Sequence, residues 1–421
     1  MNIMLIGGGG REHAILRSLK KNPTVETVWM LPGNGAMESE AICTGIGATD
    51  LDGIAQFAKE HPVDYAVVAP DDPLVLGCVD RLNELGIPCF GPKANAAIIE
   101  GSKAFSKDLM KKYGIPTAAY EIYTELDKAL EYLKTCPIPT VVKADGLALG
   151  KGVIIAQTYE EAVEAVTDMM ANAKFGKAGT TVVIEEFLEG PEVSVLSFTD
   201  GKTVKPMVSS MDHKRARDND QGLNTGGMGT IAPNPYYTDA VAEECMKTIF
   251  LPTIAAMAAE GRPFQGCLYF GLMLTKNGPK VIEYNCRFGD PETQGVLPLL
   301  QSDLLTVMQA CTNGTLENTE VKFADAHACC VITASEGYPE AYKKGFPLVM
   351  PEEAAACTFV AGAKMNDGVL VTNGGRVTGT TAIAASLPEA IQEAYRLADG
   401  VKFDNAYRRS DIGQRALQAL K

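Results

Sequence analysis

Short apolar segments alternate with amphipathic stretches through the first hundred residues of the chain. The apolar segments have the length of strands, and the stretches between them have the spacing of helices that begin near Arg11, Leu51 and Pro73. Such alternation predicts a parallel sheet, which binds its ligands at the carboxyl ends of its strands. The predicted strands are NIMLIG, TVWMLP, YAVVAP and PCFGP.

Beyond Gly101 the pattern changes to a helix followed by antiparallel strand pairs. The helix SKAFSKDLMKKYG has Ser102 as its N-cap and Gly114 as its terminator. In the hairpin that follows, VVK and VIIA are β-branched strands on either side of a glycine-rich loop. Two later hairpins turn at D-G and N-G pairs, which favour tight turns. They are EVSVLSFTDGKTVKPMV, with Asp200-Gly201, and CLYFGLMLT with KVIEYN, joined across Asn277-Gly278.

The polar segment 211–230, MDHKRARDNDQGLNTGGMGT, separates these two hairpins. A long polar loop in a compact protein is more typical of an active-site lid than of a connection without a function, so we predict a lid here. A helical region begins near Thr238. The last ninety residues hold the strands CCVITAS and RVTGTTAIAA and a helix that the capping box Ser386-x-x-Glu389 begins. The pattern therefore predicts a multidomain protein of α/β and α+β units, with domains over residues 1–101, 102–325 and 326–421.

Composition and charge narrow the classes of function. The sequence has no run of eighteen apolar residues and no basic segment at its start, so neither a membrane span nor a signal peptide is predicted, and we expect a cytoplasmic protein. Eleven cysteines without a CxxC pair predict free thiols in a reducing compartment. A formal charge of −14 argues against a general nucleic-acid surface. Any anionic substrate must therefore meet locally placed lysines, arginines and backbone amides.

The glycine-rich loops after the first two strands are candidate anion sites. In GGGGREH, Gly7 and Gly9 match the start of a dinucleotide fingerprint, but Glu12 stands at its third glycine position, where a carboxylate would repel a pyrophosphate. Glycine amides with Arg11 at a helix start suit a single phosphate better. Two alternatives stay open: a tight turn without a ligand, and a nicotinamide dehydrogenase, which rests on the incomplete fingerprint alone.

The stretch VVKADGLALGKGV is not a Walker A loop, because three residues instead of four separate Gly146 from Gly150 and Gly152 follows the lysine. It predicts a hairpin whose glycine-rich tip lies between Lys143 and Lys151. The alternative is an ordinary hairpin loop with a solvated lysine.

The strand KVIEYNCRFGD carries the most informative polar pattern. Side chains alternate along a strand, so Glu283, Asn285 and Arg287 are predicted on one face, with Ile282 and Tyr284 on the other. A carboxylate and an amide oxygen on one face suit Mg²⁺ or Mn²⁺, which takes its remaining ligands from phosphates and water. Arg287 is placed to hold either a phosphoryl oxygen or an acyl-phosphate carbonyl in the transition state. The alternative is a solvated face of an edge strand.

Taken together these motifs resemble the ATP-grasp ligases, and among them the phosphoribosylamine–glycine ligase family. The resemblance extends from GGREHA, through GSKAFSK, VIEEFL, DHKR, NTGGMG and FGDPETQ, to NGGRV and YRRSDIGQRAL. It implies a Rossmann-like domain over 1–101, a two-subdomain ATP-grasp fold over 102–325 with a mobile lid near 120–190, and an α+β domain over 326–421. The implied reaction joins glycine to 5-phosphoribosylamine through glycyl phosphate in de novo purine synthesis, with release of ADP and phosphate.

The resemblance also implies roles for individual residues. His213 is expected to order its loop and not to act as a base. The implied ATP-binding residues are Lys103, Lys143, Gly146, Gly150, Lys151, Gly152, Glu185, Glu186, Leu188 and Glu192. The implied catalytic residues are Asp212, Lys214, Arg215 and Arg287, with Asp212 a candidate for the glycine ammonium, and the implied ligands of Mg²⁺ or Mn²⁺ are Glu283 and Asn285. The implied substrate-binding residues are Gly9, Gly10, Arg11, Gly33, Asn34, Asp71, Asn224, Gly226, Gly227, Met228 and Asp290.

The implied partners are ATP, glycine, 5-phosphoribosylamine and, transiently, the enzyme that makes phosphoribosylamine. No nucleic acid or membrane is expected, and the protein is expected to be a monomer or a small homo-oligomer. Family members commonly read GNGGREHA, PGNAG and GPExPL, so this chain departs from them at Gly8, in the order of Gly35 and Ala36, and at Ala69 and Asp71. If Arg11 pairs with Glu12 or Asp71, it holds the loop instead of a phosphate. The rival functions are another ATP-grasp carboxylate–amine ligase, such as one that activates formate or bicarbonate, and a catalytically silent nucleotide-binding protein.

Overall fold

The computed structural model describes residues 1–147, 152–172 and 176–420. Its first unit is a parallel sheet flanked by helices, with strand order β3-β2-β1-β4-β5. The strands are β1 (Asn2–Gly7), β2 (Thr27–Pro32), β3 (Ile42–Cys43), β4 (Tyr65–Val68) and β5 (Cys89–Phe90). The helices are α1 (Gly10–Leu19), α2 (Leu51–Glu60), α3 (Asp71–Val75), α4 (Cys78–Glu84) and α5 (Ala94–Gly101).

The parallel sheet confirms the alternation predicted from the sequence, with one difference in its helices. The helix expected from Pro73 is two short helices, α3 and α4. Gly77 separates them with a φ of 90°, a left-handed conformation that glycine adopts without steric cost. The carboxyl ends of β1 and β2 lie together, because the strands pair in parallel from Asn2 with Thr27 to Gly7 with Pro32. The two glycine-rich loops are therefore neighbours.

A second unit has a small hydrophobic core of its own. Its antiparallel sheet has the order β6-β9-β7-β8, and α7 and α8 bury alanine, leucine and valine side chains against it. Helix α6 (Lys103–Tyr113) precedes this unit, begins with Phe105 N donating to Ser102 Oγ, and ends at Gly114 with a φ of 66°, as predicted. The elements are β6 (Tyr120–Tyr123), α7 (Leu126–Leu133), β7 (Thr140–Ala144), β8 (Val153–Ala156), α8 (Tyr159–Met170) and β9 (Val182–Glu186).

The third unit is an antiparallel sheet of order β11-β10-β16-β17, packed against helices and against the parallel sheet. Phe250 and Phe270 share a buried cluster with Met4 and Leu31, so the first and third units have a common core. The elements along this stretch of the chain are β10 (Glu192–Asp200), β11 (Val204–Pro206), β12 (Met211–Asp212), β13 (Arg215–Arg217), β14 (Gln221–Asn224), β15 (Gly229–Ala232), α9 (Asp239–Cys245), α10 (Leu251–Ala259), β16 (Gln265–Thr275), β17 (Gly278–Asn285), α11 (Glu292–Val296) and α12 (Leu304–Asn313).

The final unit is a mixed α+β layer in which α14 packs on β18 and β22. Ser386 caps α14, with Glu389 N donating to Ser386 Oγ, as the capping box predicted. The elements are β18 (His327–Ser335), α13 (Glu352–Ala356), β19 (Thr358–Val360), β20 (Ala363–Asn366), β21 (Val369–Thr372), β22 (Arg376–Ala384), α14 (Leu387–Ala398), β23 (Ala406–Tyr407) and α15 (Gln414–Ala419).

The segment 211–230 is not the continuous loop that its polarity predicted. It contains β12, the hairpin of β13 with β14, and the start of β15. Strands β12 and β15 belong to the sheet of the final unit, in the order β12-β15-β18-β22-β19. The sequence did not predict this pairing, because the contact between β15 and β18 joins residues a hundred positions apart and leaves no local signal.

The eleven cysteines lie in the described residues as free thiols, most of them buried, as predicted. Among the described residues no helix combines the length and apolar character that crossing a bilayer requires.

Candidate active site

Glu283 on β17 is the residue around which the predicted cations gather. Lys214 Nζ lies 3.6 Å from Glu283 Oε1, and Lys143, Lys103 and Arg287 also act on its charge. Burial raises the pKa of Glu283, but these four cations together lower it to about 2. Glu283 is therefore a carboxylate at neutral pH, held among positive charges contributed by four different segments.

A bulge in β17 sets the direction of this side chain. Gly271 on β16 faces Glu283, whereas its neighbour Leu272 faces Val281, so Ile282 is an extra residue without a partner in the register. Val281 and Tyr284 both enter the core. The prediction that Ile282 and Tyr284 share one face of the strand is therefore wrong. The bulge adds one residue at Ile282, so Val281 and Tyr284 are the residues that face the core.

Lys143 reaches the site through a buried ion pair. Its Nζ lies 3.1 Å from Glu185 Oε1 and donates to the carbonyl of Ile282 at 3.0 Å. The other oxygen of Glu185 lies 2.9 Å from Lys107 Nζ, and Lys107 also donates to Thr117 Oγ1 at 2.8 Å. The side chain of Glu185, predicted to bind ATP, is thus an internal counter-ion of two lysines. Lys107 belongs to the GSKAFSK motif, but nothing in its sequence context indicated this partner.

The amino end of α6 places Lys103 beside the glycine-rich loop. Lys103 Nζ donates to the carbonyl of Gly146 at 2.7 Å. Asp145 accepts hydrogen bonds from Ser102 Oγ and Ala104 N, each at 3.0 Å, and so joins the loop to the helix start. Asp145 was not identified from the sequence.

The other residues predicted to bind ATP belong in sequence to the glycine-rich segment or to the end of β9 and the residues after it. Gly150 and Lys151 lie outside the described residues. The carbonyl of Gly152 accepts a hydrogen bond from Ala144 N at 2.8 Å. Glu186 is exposed at the end of β9, with Lys280 Nζ 3.5 Å from its Oε2, and Leu188 is half-buried just beyond.

Lys214 lies between two carboxylates. Its Nζ is 3.5 Å from Glu192 Oε2 and 3.6 Å from Glu283 Oε1. Glu192 raises the pKa of Lys214 against the effect of burial, and Glu283 raises it further. The lysine is therefore charged and joins the segment after β12 to the metal-ligand face predicted on β17.

The other predicted residues of this segment have different surroundings. Burial raises the pKa of Asp212, and the negative charge of Glu292 raises it further. Arg215 Nη1 donates to the carbonyl of Gly222 at 2.8 Å, within its own hairpin, and Asn224 pairs with Arg215 across that hairpin. Glu292 was missed by the sequence reasoning, although it lies in the FGDPETQ motif.

His213 is fully buried and has a partner at each ring nitrogen. Gly413 N donates to Nε2 at 3.1 Å, so the hydrogen-bond pattern assigns the proton to Nδ1, which donates to the carbonyl of Gly229 at 3.1 Å. Burial, with Arg415 and Arg409 nearby, lowers the pKa of His213 to about 4. This geometry agrees with a loop-ordering role.

Arg287 connects β17 to the parallel sheet. Its Nη2 lies 3.2 Å from Glu100 Oε1 and 3.7 Å from Asp71 Oδ2, and donates to Asn285 Oδ1 at 3.3 Å. Burial disfavours the charge, but Glu100 and Asp71 outweigh it and raise the pKa of Arg287. Glu100 ends the apolar helix ANAAIIEG and gave no sequence signal. Asp71, a departure from the family pattern, still reaches the guanidinium.

The amides of Gly9 and Arg11 and the Arg11 side chain, predicted to hold a phosphate at the start of α1, already have partners. Gly9 N donates to Glu12 Oε2 at 2.7 Å, and Arg11 N lies 3.4 Å from Asp290 Oδ2. Arg11 Nε donates to Glu12 Oε1 at 2.6 Å, and its Nη1 donates to the carbonyl of Phe288 at 3.1 Å. These contacts favour the alternative in which Arg11 holds the loop.

The departures at Gly8 and Gly35 lie where backbones approach closely. A Cβ on Gly8 would be 2.3 Å from Gly33 O, and one on Gly35 would be 2.4 Å from Met365 N. Asn34 Nδ2 donates to the carbonyls of Gly8 at 2.8 Å and Val360 at 2.9 Å. Asn34 therefore joins the second glycine loop to the first loop and to β19.

Arg376 joins three of the predicted substrate residues, Asp290, Gly226 and Gly227. Its Nη2 lies 3.3 Å from Asp290 Oδ1, and its Nη1 donates to the carbonyls of Gly226 at 2.8 Å and Gly227 at 3.3 Å. Met228 is fully buried in the core of the final unit. Gly10 packs on Gln294, whose Nε2 donates to Asp290 Oδ1 at 2.8 Å. Arg376 lies in NGGRV, but the sequence reasoning gave it no role.

Three family models match the chain almost end to end. They describe the N domain, the ATP-grasp (A) domain and the C domain of phosphoribosylglycinamide synthetase, and match residues 1–100, 101–293 and 328–415. This chain belongs to the phosphoribosylglycinamide synthetase family. The ATP-grasp fold and the three-part architecture predicted from the sequence are thereby confirmed.

Individual relatives are similar over almost the full length of this chain. A phosphoribosylamine–glycine ligase of Vibrio vulnificus is 47% identical over 423 residues, which cover 99% of each chain. One of Halalkalibacterium halodurans is 46% identical over 419 residues, 99% of this chain and 97% of its own.

Two solved structures are similar to this chain, and the first of them is named as a phosphoribosylamine–glycine ligase. The crystal structure of a phosphoribosylamine–glycine ligase from Thermotoga maritima has a TM-score of 0.87 at 34% identity, and the match covers 98% of this chain and 100% of that one. A biotin carboxylase domain from Hydrogenobacter thermophilus, solved with MgADP, has a TM-score of 0.73 at 16% identity, covering 97% and 91% of the two chains. The second likeness concerns the fold alone.

Proposed function

We propose that this chain joins glycine to 5-phosphoribosylamine, with ATP converted to ADP and phosphate, in purine biosynthesis. The observation that carries the proposal is the gathering of Lys103, Lys143, Lys214 and Arg287 around ionised Glu283, in a chain of the phosphoribosylglycinamide synthetase family. Glycine's carboxylate and the γ-phosphoryl group of ATP are both anions. Cations held in fixed positions reduce the repulsion between them and stabilise the charge that develops during transfer.

The donor atoms on β17 fit a hard divalent cation. Glu283 is ionised, and Asn285 Oδ1 accepts from Arg287 Nη2 at 3.3 Å, which fixes the orientation of the amide. Among the described residues no three His, Cys, Asp or Glu side chains form a metal cluster, so the protein would supply few ligands. We propose that Glu283 and Asn285 hold Mg²⁺ or Mn²⁺, with phosphate and water completing the shell. The ion would add Lewis-acid neutralisation of phosphate charge.

The proposed chemistry has two steps. A carboxylate oxygen of glycine attacks the γ-phosphorus of ATP, the bond to the β,γ-bridging oxygen breaks, and glycyl phosphate and ADP form. The amine of phosphoribosylamine then attacks the acyl carbon, loses a proton, and expels phosphate. Lys143 and Lys103 are proposed to bind phosphate oxygens, and Asp212 the ammonium of glycine. A bound ammonium would offset the burial and the negative neighbour that raise the pKa of Asp212.

Substrate omission tests this function. ADP release is measured with Mg²⁺, ATP, glycine and freshly generated phosphoribosylamine, each omitted in turn, and with formate or bicarbonate in place of glycine. We expect ADP release only in the complete mixture with glycine. Turnover with formate or bicarbonate would favour a different ATP-grasp ligase, and no turnover in any mixture would favour a silent nucleotide-binding protein.

A matched pair of variants tests the role of Glu283. Glu283→Gln should lower turnover about 100-fold or more, because it removes a charged metal ligand at nearly constant volume. Glu320→Gln makes the same change in an exposed carboxylate that pairs with Lys322 at 2.7 Å, and it should leave turnover unchanged. Full activity of Glu283→Gln with normal magnesium dependence would remove Glu283 from the metal site.

A further inference from the structure

The segment that carries Asp212 and Lys214 continues into a hairpin whose turn has two residues with positive φ. The hairpin pairs β13 with β14 in antiparallel register. In the turn between them, Asn219 has a φ of 57° and Asp220 a φ of 54°. Asn and Asp tolerate this left-handed conformation better than other residues with a side chain, but two of them in succession are uncommon. Contacts from outside the hairpin can therefore support this turn.

Arg409 supplies that support from the far end of the chain. Its Nη1 donates to Asp220 Oδ1 at 3.0 Å and to the carbonyl of Arg215 at 3.1 Å. Its Nε and Nη2 donate to the two carboxylate oxygens of Asp411 at 2.8 and 2.9 Å. Only 1% of the side chain is exposed. The guanidinium is thus a buried junction between the C-terminal segment and the residue that follows Lys214.

The residues next to Arg409 bind the rest of the turn. Ser410 N donates to Asp218 Oδ1 at 2.8 Å, and Asn219 N donates to Asp411 Oδ2 at 2.8 Å. Three consecutive C-terminal residues therefore each hold one of the three consecutive turn residues. We name residues 409–413 the C-terminal clasp.

The clasp also holds the start of the loop. Gly413 N donates to His213 Nε2 at 3.1 Å, and His213 precedes Lys214. On the other side of Lys214, the carbonyl of Arg215 accepts from Arg409. The backbone of Lys214 is thus fixed from both sides by contacts that do not involve its own side chain.

We propose that Arg409 is a positioning residue for the ligation reaction, which through the C-terminal clasp holds Lys214 and Asp212 in their working positions. This inference rests on the proposed function. Arg409 does not itself contact the site residues around Glu283. Displacement of a catalytic group by about 1 Å can lower a rate about 100-fold, so a remote support of this kind affects catalysis.

The geometry requires an arginine. A planar guanidinium can donate two parallel hydrogen bonds to Asp411 and direct a third nitrogen at Asp220 and the Arg215 carbonyl. A lysine has a single donor nitrogen and cannot reproduce this fork. Arg409→Lys therefore keeps the charge and removes the geometry.

Arg408→Lys is the matched control, because Arg408 is the preceding residue and its guanidinium pairs with Asp399, away from the hairpin. The measurements are the melting temperature, KM and kcat for glycine, ATP and phosphoribosylamine, and amide hydrogen exchange over residues 213–224. In Arg409→Lys we expect kcat/KM for glycine to fall about 10- to 100-fold, KM for ATP to change less than about twofold, and exchange over 213–224 to accelerate. Arg408→Lys should leave each of these unchanged.

Several results would overturn the inference. One is an Arg409→Lys protein with normal glycine kinetics and normal exchange. Another is an equal rise in KM for all three substrates with a lower melting temperature and an unchanged kcat, which would reduce Arg409 to a support of the fold. If Arg409→Lys does not fold, Asp220→Asn, which leaves the pair of Arg409 with Asp411 in place, must give the same selective loss. If the wild-type protein does not turn over glycine, the proposed function fails, and the clasp is then judged by hydrogen exchange alone.

Discussion

Arg11 Nε donates to Glu12 Oε1 at 2.6 Å, with both side chains buried at the start of α1. Glu12 also accepts from Gly9 N, so one carboxylate holds both the loop backbone and the neighbouring guanidinium. A glycine loop followed by an arginine at a helix start has the sequence of an anion site. In this protein the anion at that position is the side chain of Glu12.

The pairing predicts what Arg11→Ala does. Removing one partner of a buried ion pair leaves the other charge without compensation, which costs about 3–5 kcal/mol of folding free energy. We therefore expect a lower melting temperature and similar losses for ATP, glycine and phosphoribosylamine. A rise of about tenfold or more in KM for phosphoribosylamine alone, at normal stability, would instead assign Arg11 to the phosphate.

The shared partner of Lys143 and Lys107 allows a controlled comparison of the two lysines. Both pair with Glu185, but only Lys143 also donates to the Ile282 carbonyl next to Glu283. We expect Lys143→Ala to raise KM for ATP about 10- to 100-fold, because a charged hydrogen bond contributes about 1.5–3 kcal/mol. Lys107→Ala should chiefly lower stability. Equal effects of the two variants on ATP kinetics would contradict this division.

The sequence predicted the parts of the site whose residues are close along the chain. The E-x-N-x-R pattern located Glu283 and Asn285, and the S-K pair located the cap of α6 and Lys103, because strand alternation and helix capping act over a few residues. The bulge at Ile282 escaped prediction, since it depends on the register with β16.

Contacts between distant segments could not be predicted in this way. Glu100 reaches Arg287, and Arg409 reaches Asp220, across nearly two hundred residues each. These two pairs are set by the tertiary fold, so the residues next to each arginine in the sequence do not indicate them. The same reason explains why the polar segment 211–230 was predicted as a lid without strands.

Lys214 offers a test of the charge arrangement around Glu283. Lys214→Met removes the cation between Glu192 and Glu283, so we expect kcat to fall about 100-fold through loss of electrostatic stabilisation. The control is Lys322→Met, which removes an exposed lysine paired with Glu320. An unchanged kcat in Lys214→Met would exclude Lys214 from the catalytic groups.

The buried His213 predicts a pH dependence of stability. Its pKa in the folded protein is about 4, below the ordinary 6.5, so the unfolded state binds the proton more readily. The free energy of unfolding should therefore fall as the pH is lowered from about 6.5 to about 4, and this contribution is complete above that window. Arg415, Arg409, Asp220 and Asp411 are the charged groups that act on the ring.

Denaturant unfolding of the wild type and of His213→Gln between pH 7 and pH 5 measures this dependence. The glutamine variant cannot take up the proton, so the difference in stability between the two proteins should shrink toward pH 5, by an amount on the order of 1–3 kcal/mol. Parallel pH profiles would show that the His213 ring does not control stability in this window.

The fate of one oxygen atom tests the proposed reaction most directly. Glycine labelled with ¹⁸O in its carboxylate is incubated with the protein, Mg²⁺, ATP and phosphoribosylamine, and the released phosphate is examined by mass spectrometry. Because the attacking carboxylate oxygen stays on the transferred phosphoryl group, each phosphate should carry one ¹⁸O. Phosphate without the label, released during amide formation, would contradict the passage through glycyl phosphate.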